Sequence, residues 1–168
     1  MGQSIVFGIH LLAAAIWVGS QVFMFGAVVP ALRALGDEAA RRRAVVVLNR
    51  RFAWLGWGAL AILALTGIDN VIQRQDDYDI VFDYDFRYAW IFVVKLVLVA
   101  VVIALTAIHS YVVGPRLLEL QESHAGSAEL SALRRLSIQL SVLNLLAGVA
   151  ILFLVALLQN IEFSFERI

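Results

Sequence analysis

The chain has 168 residues, of which 62% are hydrophobic and 15% are charged, and its mean hydropathy is +0.87. Soluble domains are about 45–50% apolar and about 25% charged, so this composition excludes an ordinary soluble domain and indicates one integral membrane domain. The net charge of zero argues against nucleic acid as a partner, and the absence of cysteine excludes disulfides, thiolate metal sites and cysteine nucleophiles.

Four long apolar segments predict helices that cross a membrane, because a bilayer core about 30 Å thick requires about 20 apolar residues. They cover about residues 4–29, 52–72, 88–113 and 136–159, the first ending at Pro30 and the third at Gly114-Pro115. Their apolar runs are nearly continuous rather than alternating, which excludes strands of a membrane barrel. We therefore expect an all-α, four-helix transmembrane bundle, a single domain over 1–168, with no internal repeat. The first segment lacks a basic n-region and is too long for a typical cleaved signal, so we expect it to remain as a span.

The charged connections predict the orientation of these helices. The first and third connections contain the basic residues Arg33, Arg41, Arg42, Arg43, Arg50, Arg51, Arg116, Arg134 and Arg135. By the positive-inside rule both connections are cytoplasmic, so both termini lie outside, as in a multi-pass protein of the bacterial inner membrane. The second connection is acidic and contains Asp76, Asp77, Asp79, Asp83 and Asp85. We expect the first Arg-rich stretch to form a helix along the inner membrane surface.

Polar residues inside the spans are the candidates for function, because such residues are costly in a bilayer and usually face the bundle interior. One face of the first helix contains His10, Trp17, Gln21 and Met24. Their spacings place them within about 60° of one another, and Ala13 and Ala14 leave space beside the imidazole. In the third span, Lys95, Thr106 and His109 likewise share one face.

Depth separates these residues into two predicted clusters. His10 lies about 9 Å below the outer boundary and Lys95 at about the same depth, whereas His109 is about 21 Å deeper than Lys95. His10 and His109 therefore cannot be the two axial ligands of one haem. The outer cluster comprises His10, Lys95 and Asp69; the inner cluster comprises His109, Gln21 and Asn144, with Arg116 at its mouth. An alternative interpretation is that these polar contacts only fix the packing of the helices.

Several segments resemble the copper resistance protein D (CopD) family over nearly the whole chain. They are HLLAAAIWVGS, WLGWGALAILALTG, WIFVVKLVLV, IHSYVVGPRL and RRLSIQLSVLNLLAG. The informative positions are His10 with Trp17, Lys95, and the GPRL sequence after His109. The histidine in span one and the lysine in span three are also similar to the HemJ-type protoporphyrinogen oxidases, a four-helix family whose resemblance implies b-type haem.

The first functional hypothesis is a haem-binding redox protein. A neutral imidazole on an apolar helix is a suitable axial ligand, so His10 is the first candidate, with Trp17 stacking nearby. Lys95 would pair with a haem propionate or supply a proton, and His109 is a further candidate at the inner side. No catalytic residue can be assigned. A hydrolase is disfavoured because no nucleophile shares the depth of a histidine and no HExxH motif occurs.

Two other hypotheses remain open. Copper handling follows from the CopD resemblance, with His10 and Asp69 as a weak metal site, although Lys95 at the same depth would repel a cation. The third is a small subunit of a larger respiratory or photosynthetic membrane complex. In that case the acidic outer connection would dock other membrane subunits or a basic electron-transfer protein, because opposite charges speed encounter.

Overall fold

The computed structural model describes residues 2–72, 83–122, 127–164 and 166, and its elements are helical. In chain order they are α1 (Gly2–Phe23), a π-helical turn (Met24–Val28), α2 (Val29–Ala34), α3 (Glu38–Ile72), α4 (Arg87–Ile108), a second π-helical turn (His109–Val113), α5 (Gly114–Glu122), α6 (Ser127–Gln159) and α7 (Ile161–Ser164). Within these residues four helical runs are long and apolar enough to cross a membrane: Ser4–Ala34, Glu38–Ile72, Arg87–Gln121 and Ala128–Gln159. The prediction of an all-α protein with four spans is confirmed.

The chain divides into two compact units, Met1–Asp76 and Asp77–Ile168. In the first unit α1 packs along α3, and in the second α4 packs along α6. The core of the first unit consists of Ala13, Trp17, Ala59 and Leu60. The core of the second unit consists of Tyr88, Ala89, Phe92, Val102, Val113 and Leu120. Small residues in both cores let the paired helices approach closely, as is typical of membrane helices.

Apart from the short α7 at the end of the second unit, the two units have the same order of elements. Each starts with a long helix that passes through a π-helical turn into a short helix, and each continues with a second long helix. A proline follows each π-helical turn, at Pro30 and Pro115, and an arginine pair lies in each second long helix, at residues 50–51 and 134–135. No internal repeat is evident from the amino-acid sequence, but the architecture is repeated.

The helical path does not end at Pro30 or at Gly114-Pro115, contrary to the prediction from the sequence. Val29 N–H donates to the carbonyl of Met24, and Gly114 N–H donates to the carbonyl of His109, each five residues back. Proline lacks an N–H and clashes with the turn before it in a regular α-helix. The wider π-helical turn accommodates that disruption, so the path continues to Ala34 in the first unit and to Glu122 in the second.

The Arg-rich stretch is the beginning of α3 rather than a separate surface helix, which corrects the expectation stated above. The 35 residues of α3 form one helix, whose length of about 50 Å exceeds the bilayer core of about 30 Å. Asp37 caps its start by accepting hydrogen bonds from the N–H groups of Ala39 at 2.8 Å and Ala40 at 3.2 Å. Glu38 in the first turn forms ion pairs with Arg41 and Arg42, each at 3.5 Å.

Candidate ligand-binding site at His10

The imidazole of His10 forms a hydrogen bond between the two long helices of the first unit. Its Nδ1 lies 2.7 Å from Oγ1 of Thr66, so the bond joins α1 to α3. The Thr66 hydroxyl also lies 2.6 Å from the carbonyl of Ile62 in the preceding turn of α3. His10 and Thr66 are both half-buried. The ring is therefore held on the face where the two helices meet.

The surroundings of His10 are small and apolar. Gly67 follows Thr66, and a Cβ atom added there would lie 3.6 Å from Cε1 of the His10 ring. On the same face of α1, Ala13 and Trp17 are buried, with 3% and 5% of their surfaces exposed. A neutral imidazole is the form of histidine that binds a metal.

Trp17 and Gln21 are linked deeper along α1. The carbonyl of Trp17 accepts hydrogen bonds from Oγ of Ser20 at 3.0 Å and from Nε2 of Gln21 at 3.3 Å. These two bonds lie within the helix itself. The Gln21 side chain therefore has a backbone partner in the first unit, and its predicted grouping with His109 stays a prediction.

The other predicted members of the outer cluster lie on two different elements. Asp69 is half-buried on α3, one turn beyond Thr66. Lys95 is half-buried on α4 in the second unit, and its Nζ lies 5.6 Å from the centre of the Phe92 ring, within range of a cation–π interaction. The grouping of Lys95 with His10 remains a prediction.

His109 is the first residue of the second π-helical turn. Its Nδ1 is buried, and no hydrogen-bond partner for this atom occurs in the part of the chain that the structure describes. Nearby in sequence, Thr106 accepts a hydrogen bond at 3.3 Å from Nδ2 of Asn144 on α6. The second unit thus has its own polar contact between long helices. Arg116, predicted at the mouth of the inner cluster, forms ion pairs with Glu119 at 3.0 Å and Glu129 at 3.2 Å.

Comparison with protein families decides the family of this chain. The model of the family described as copper resistance protein D matches residues 46–158, more than half of the chain. The chain belongs to the CopD family. With the four apolar helices, this membership makes it an integral membrane protein in contact with the lipid bilayer. Comparison with curated proteins and with solved structures gave no match.

The CopD match covers part of the candidate site. Thr66, Asp69, Lys95 and His109 lie inside the matched residues, whereas His10 lies before them. Among the side chains that the structure describes, no three from His, Cys, Asp and Glu form a group that could hold a metal ion. Among the described residues, the site therefore contains an imidazole bonded to Thr66, without a group of three such side chains.

Thr66 and Gly67 are the residues that the sequence-based prediction of this CopD-family site missed. The signal was present: Thr66 is a hydroxyl residue inside the apolar run of the second span, about as far from its outer end as His10 is from the start of the first. Matching depth by the rise of about 1.5 Å per residue would have paired them. The prediction instead gave preference to charged residues and therefore grouped His10 with Asp69, one turn further out.

Proposed function

We propose that this CopD-family membrane protein binds a b-type haem through His10 and takes part in a redox reaction. The observation that supports the proposal most is the His10 imidazole, held by Thr66 at 2.7 Å between two long helices, on the helix face that also contains the buried Ala13 and Trp17. A histidine on an apolar helix of a bundle is a common axial ligand of haem iron. The similarity of His10 and Lys95 to the HemJ-type pattern is consistent with this role.

The number of available ligands favours haem over a bare ion. Haem brings four nitrogen ligands to its iron, so a single imidazole is sufficient to attach it to the protein. A bare copper ion needs several side chains of suitable type. The described part of the chain contains no group of three His, Cys, Asp or Glu side chains for such an ion.

The residues on the His10 face of α1 suit a flat apolar group. Trp17 and Ala13 provide an aromatic and a small side chain on the same helix face as His10. The role of Lys95, in the second unit, as a partner of a propionate or as a proton donor is proposed from the sequence pattern alone. When bound, haem supplies one-electron chemistry, and the protein sets its potential through the axial ligand and the polarity of the pocket. His109, in the second unit, is the alternative candidate ligand, and haem binding by variants of the two histidines distinguishes between them.

Haem titration tests this proposal. Haem is added to the purified protein in detergent, and the Soret band is followed for the wild type, His10→Ala and His109→Ala. We expect saturable binding for the wild type, loss of that signal in His10→Ala, and retention in His109→Ala. Equal haem binding by the wild type and His10→Ala would show that His10 is not the ligand.

Copper handling is the second candidate function, and the family membership favours it. His10 and Asp69 would supply the imidazole and the carboxylate of a weak site, as Cu(II) prefers nitrogen and oxygen ligands. Copper content after exposure to the metal, compared among the wild type, His10→Ala and Asp69→Asn, tests this candidate. If both His10→Ala and Asp69→Asn lose bound copper relative to the wild type, copper handling is favoured over haem binding.

A partner at the acidic outer connection is a further part of the proposal. Asp76, Asp77 and Asp79 lie outside the described residues, while Asp83 and Asp85 lie just before α4. Several negative charges in a short stretch would attract a basic electron-transfer protein or a basic subunit. Copurification in mild detergent tests this. A stoichiometric partner that is lost when the five aspartates are changed to asparagine would support it, and an isolated protein in both cases would count against it.

A further inference from the structure

The hydrogen bond between His10 and Thr66 points to a role for Thr66 that goes beyond packing. We propose that Thr66 is a positioning residue that holds His10 as the Nδ1–H tautomer, which places the lone pair of the neutral ring on Nε2. The role in ligand binding rests on the proposed function, whereas the choice of tautomer does not.

The hydrogen atoms decide the direction of the bond. A threonine hydroxyl has one hydrogen to donate but can accept from other donors. The carbonyl of Ile62, 2.6 Å from Thr66 Oγ1, can only accept, so it takes the hydroxyl hydrogen. Because Thr66 has no second hydrogen, Nδ1 of His10 must be the donor across the 2.7 Å contact. A neutral imidazole that carries its hydrogen on Nδ1 has none on Nε2.

The geometry of α3 fixes the position of the Thr66 hydroxyl in this hydrogen bond. A threonine within a helix commonly bonds to the carbonyl of the preceding turn, which fixes the side-chain rotamer. The oxygen of Thr66 therefore points at His10 from a rotamer set by its own helix. Gly67 lies next to Thr66, and the position of a Cβ atom added there is 3.6 Å from Cε1 of the ring.

A fixed tautomer has a direct consequence for metal binding. Metal-bound histidines almost always donate their other N–H to an oxygen, and loss of that outer partner costs about 10–100-fold in affinity. Without the Thr66 hydroxyl, the ring can place its hydrogen on Nε2 and present an N–H instead of a lone pair. The hydroxyl of Thr66 thus selects the nitrogen atom that can bind iron.

Nitrogen NMR of the histidine rings tests this inference on the ligand-free protein. The chain is labelled with ¹⁵N at histidine, purified in detergent micelles without haem, and the His10 resonances are assigned with His10→Ala. Protonated and unprotonated ring nitrogens have distinct shifts. The variants are Thr66→Val, which keeps the shape and removes the hydroxyl, and Thr66→Ser, which retains the hydroxyl. Thr106→Val is the matched control, because it removes the helix–helix hydrogen bond of the second unit.

We expect the Nδ1–H form in the wild type, in Thr66→Ser and in Thr106→Val, and a shift towards Nε2–H in Thr66→Val. Haem affinity should fall about 10–100-fold in Thr66→Val and recover in Thr66→Ser. An Nε2–H ring in the wild type, or a tautomer unchanged by Thr66→Val, would overturn the inference. A wild type that shows Nδ1–H but binds no haem would overturn the proposed function and leave the assignment of the tautomer in place.

Discussion

At the scale of single residues, the space beside His10 depends on the absence of a side chain at position 67. Gly67 lies against the ring, with 3.6 Å between the position of an added Cβ and Cε1. That separation is an ordinary van der Waals contact, so a methyl group fits, and we expect a branched side chain to meet the ring. Glycine is common where two membrane helices approach closely.

Substitutions of Gly67 should affect haem binding according to the size of the new side chain. We expect Gly67→Ala to bind haem like the wild type and Gly67→Leu to lose binding, because the larger side chain would cover the ring of His10. Gly58→Leu on the same helix is the control, since nothing lies within 4 Å of a Cβ added at Gly58. Haem titration of the three variants measures the effect. Loss of binding in Gly58→Leu as well would show a general effect on folding.

Whereas His10 has a hydrogen-bond partner in Thr66, the buried Nδ1 atom of His109 has none among the described residues. Such an atom costs about 1–3 kcal/mol of stability. We therefore expect His109→Leu to leave the thermal midpoint of the protein in detergent unchanged or raised. Val113→Ala is the control, because it removes packing from a side chain that is 2% exposed and should lower the midpoint. A large loss of stability in His109→Leu would mean that a partner outside the described residues satisfies the ring.

At the scale of helices, the π-helical turns before Pro30 and Pro115 shape both units. Turns of this type are rare and often occur at functional sites. The second turn begins at His109, and Gly114 closes it with a hydrogen bond to the His109 carbonyl. A Cβ atom added at Gly114 would lie only 3.0 Å from that carbonyl oxygen. A side chain at this position would therefore press against the backbone of its own turn.

Alanine at two glycines should have opposite effects. We expect Gly114→Ala to destabilise the protein by about 1–3 kcal/mol, because the backbone must shift to admit the methyl group. Gly58→Ala, in an exposed part of α3 with open space around it, should stabilise by about 0.5–1 kcal/mol through helix propensity. Thermal unfolding in the same detergent compares them. A stabilised Gly114→Ala variant would contradict the tight π-helical turn.

The number and type of the long helices follow from the sequence, whereas their ends do not. Continuous apolar runs of about 20 residues predict helical spans, because only helices and closed barrels satisfy their backbone in a bilayer and barrel strands would alternate. The rule that proline ends a helix failed at Pro30 and Pro115. At both positions the hydrogen bonds change from four to five residues back, which accommodates a residue without an N–H. Such a shift leaves no mark in composition or hydropathy. The pairing of His10 with Thr66 could be predicted from their equal distances to the span ends. The rotamer that directs the Thr66 hydroxyl towards His10 could not be predicted in this way.

At the scale of the whole molecule, charge predicts how the chain crosses the membrane. Arginines are concentrated near the start of α3 and around the junction of α5 and α6, and aspartates precede α4. The positive-inside rule predicts that the Arg-rich ends lie in the cytoplasm and that both termini lie outside. The family match extends over both units, from residue 46 to residue 158.

The absence of cysteine makes this orientation directly measurable. Single cysteines are introduced as Gly36→Cys, between α2 and α3, and Asp85→Cys, before α4; both positions are exposed. A maleimide that cannot cross membranes is applied to intact cells. We expect Asp85→Cys to react at once and Gly36→Cys to react only after the membrane is opened. The reverse pattern would invert the orientation and place His10 near the cytoplasmic side.

The most direct test of the central claim is the haem and copper content of one sample. The wild type and His10→Ala are purified from membranes of cells supplied with both haem and copper, and the absorption spectrum and copper content are measured per mole of protein. We expect a Soret band in the wild type, its loss in His10→Ala, and the same low copper content in both. A wild type without haem, or with copper that depends on His10, would contradict haem ligation by His10.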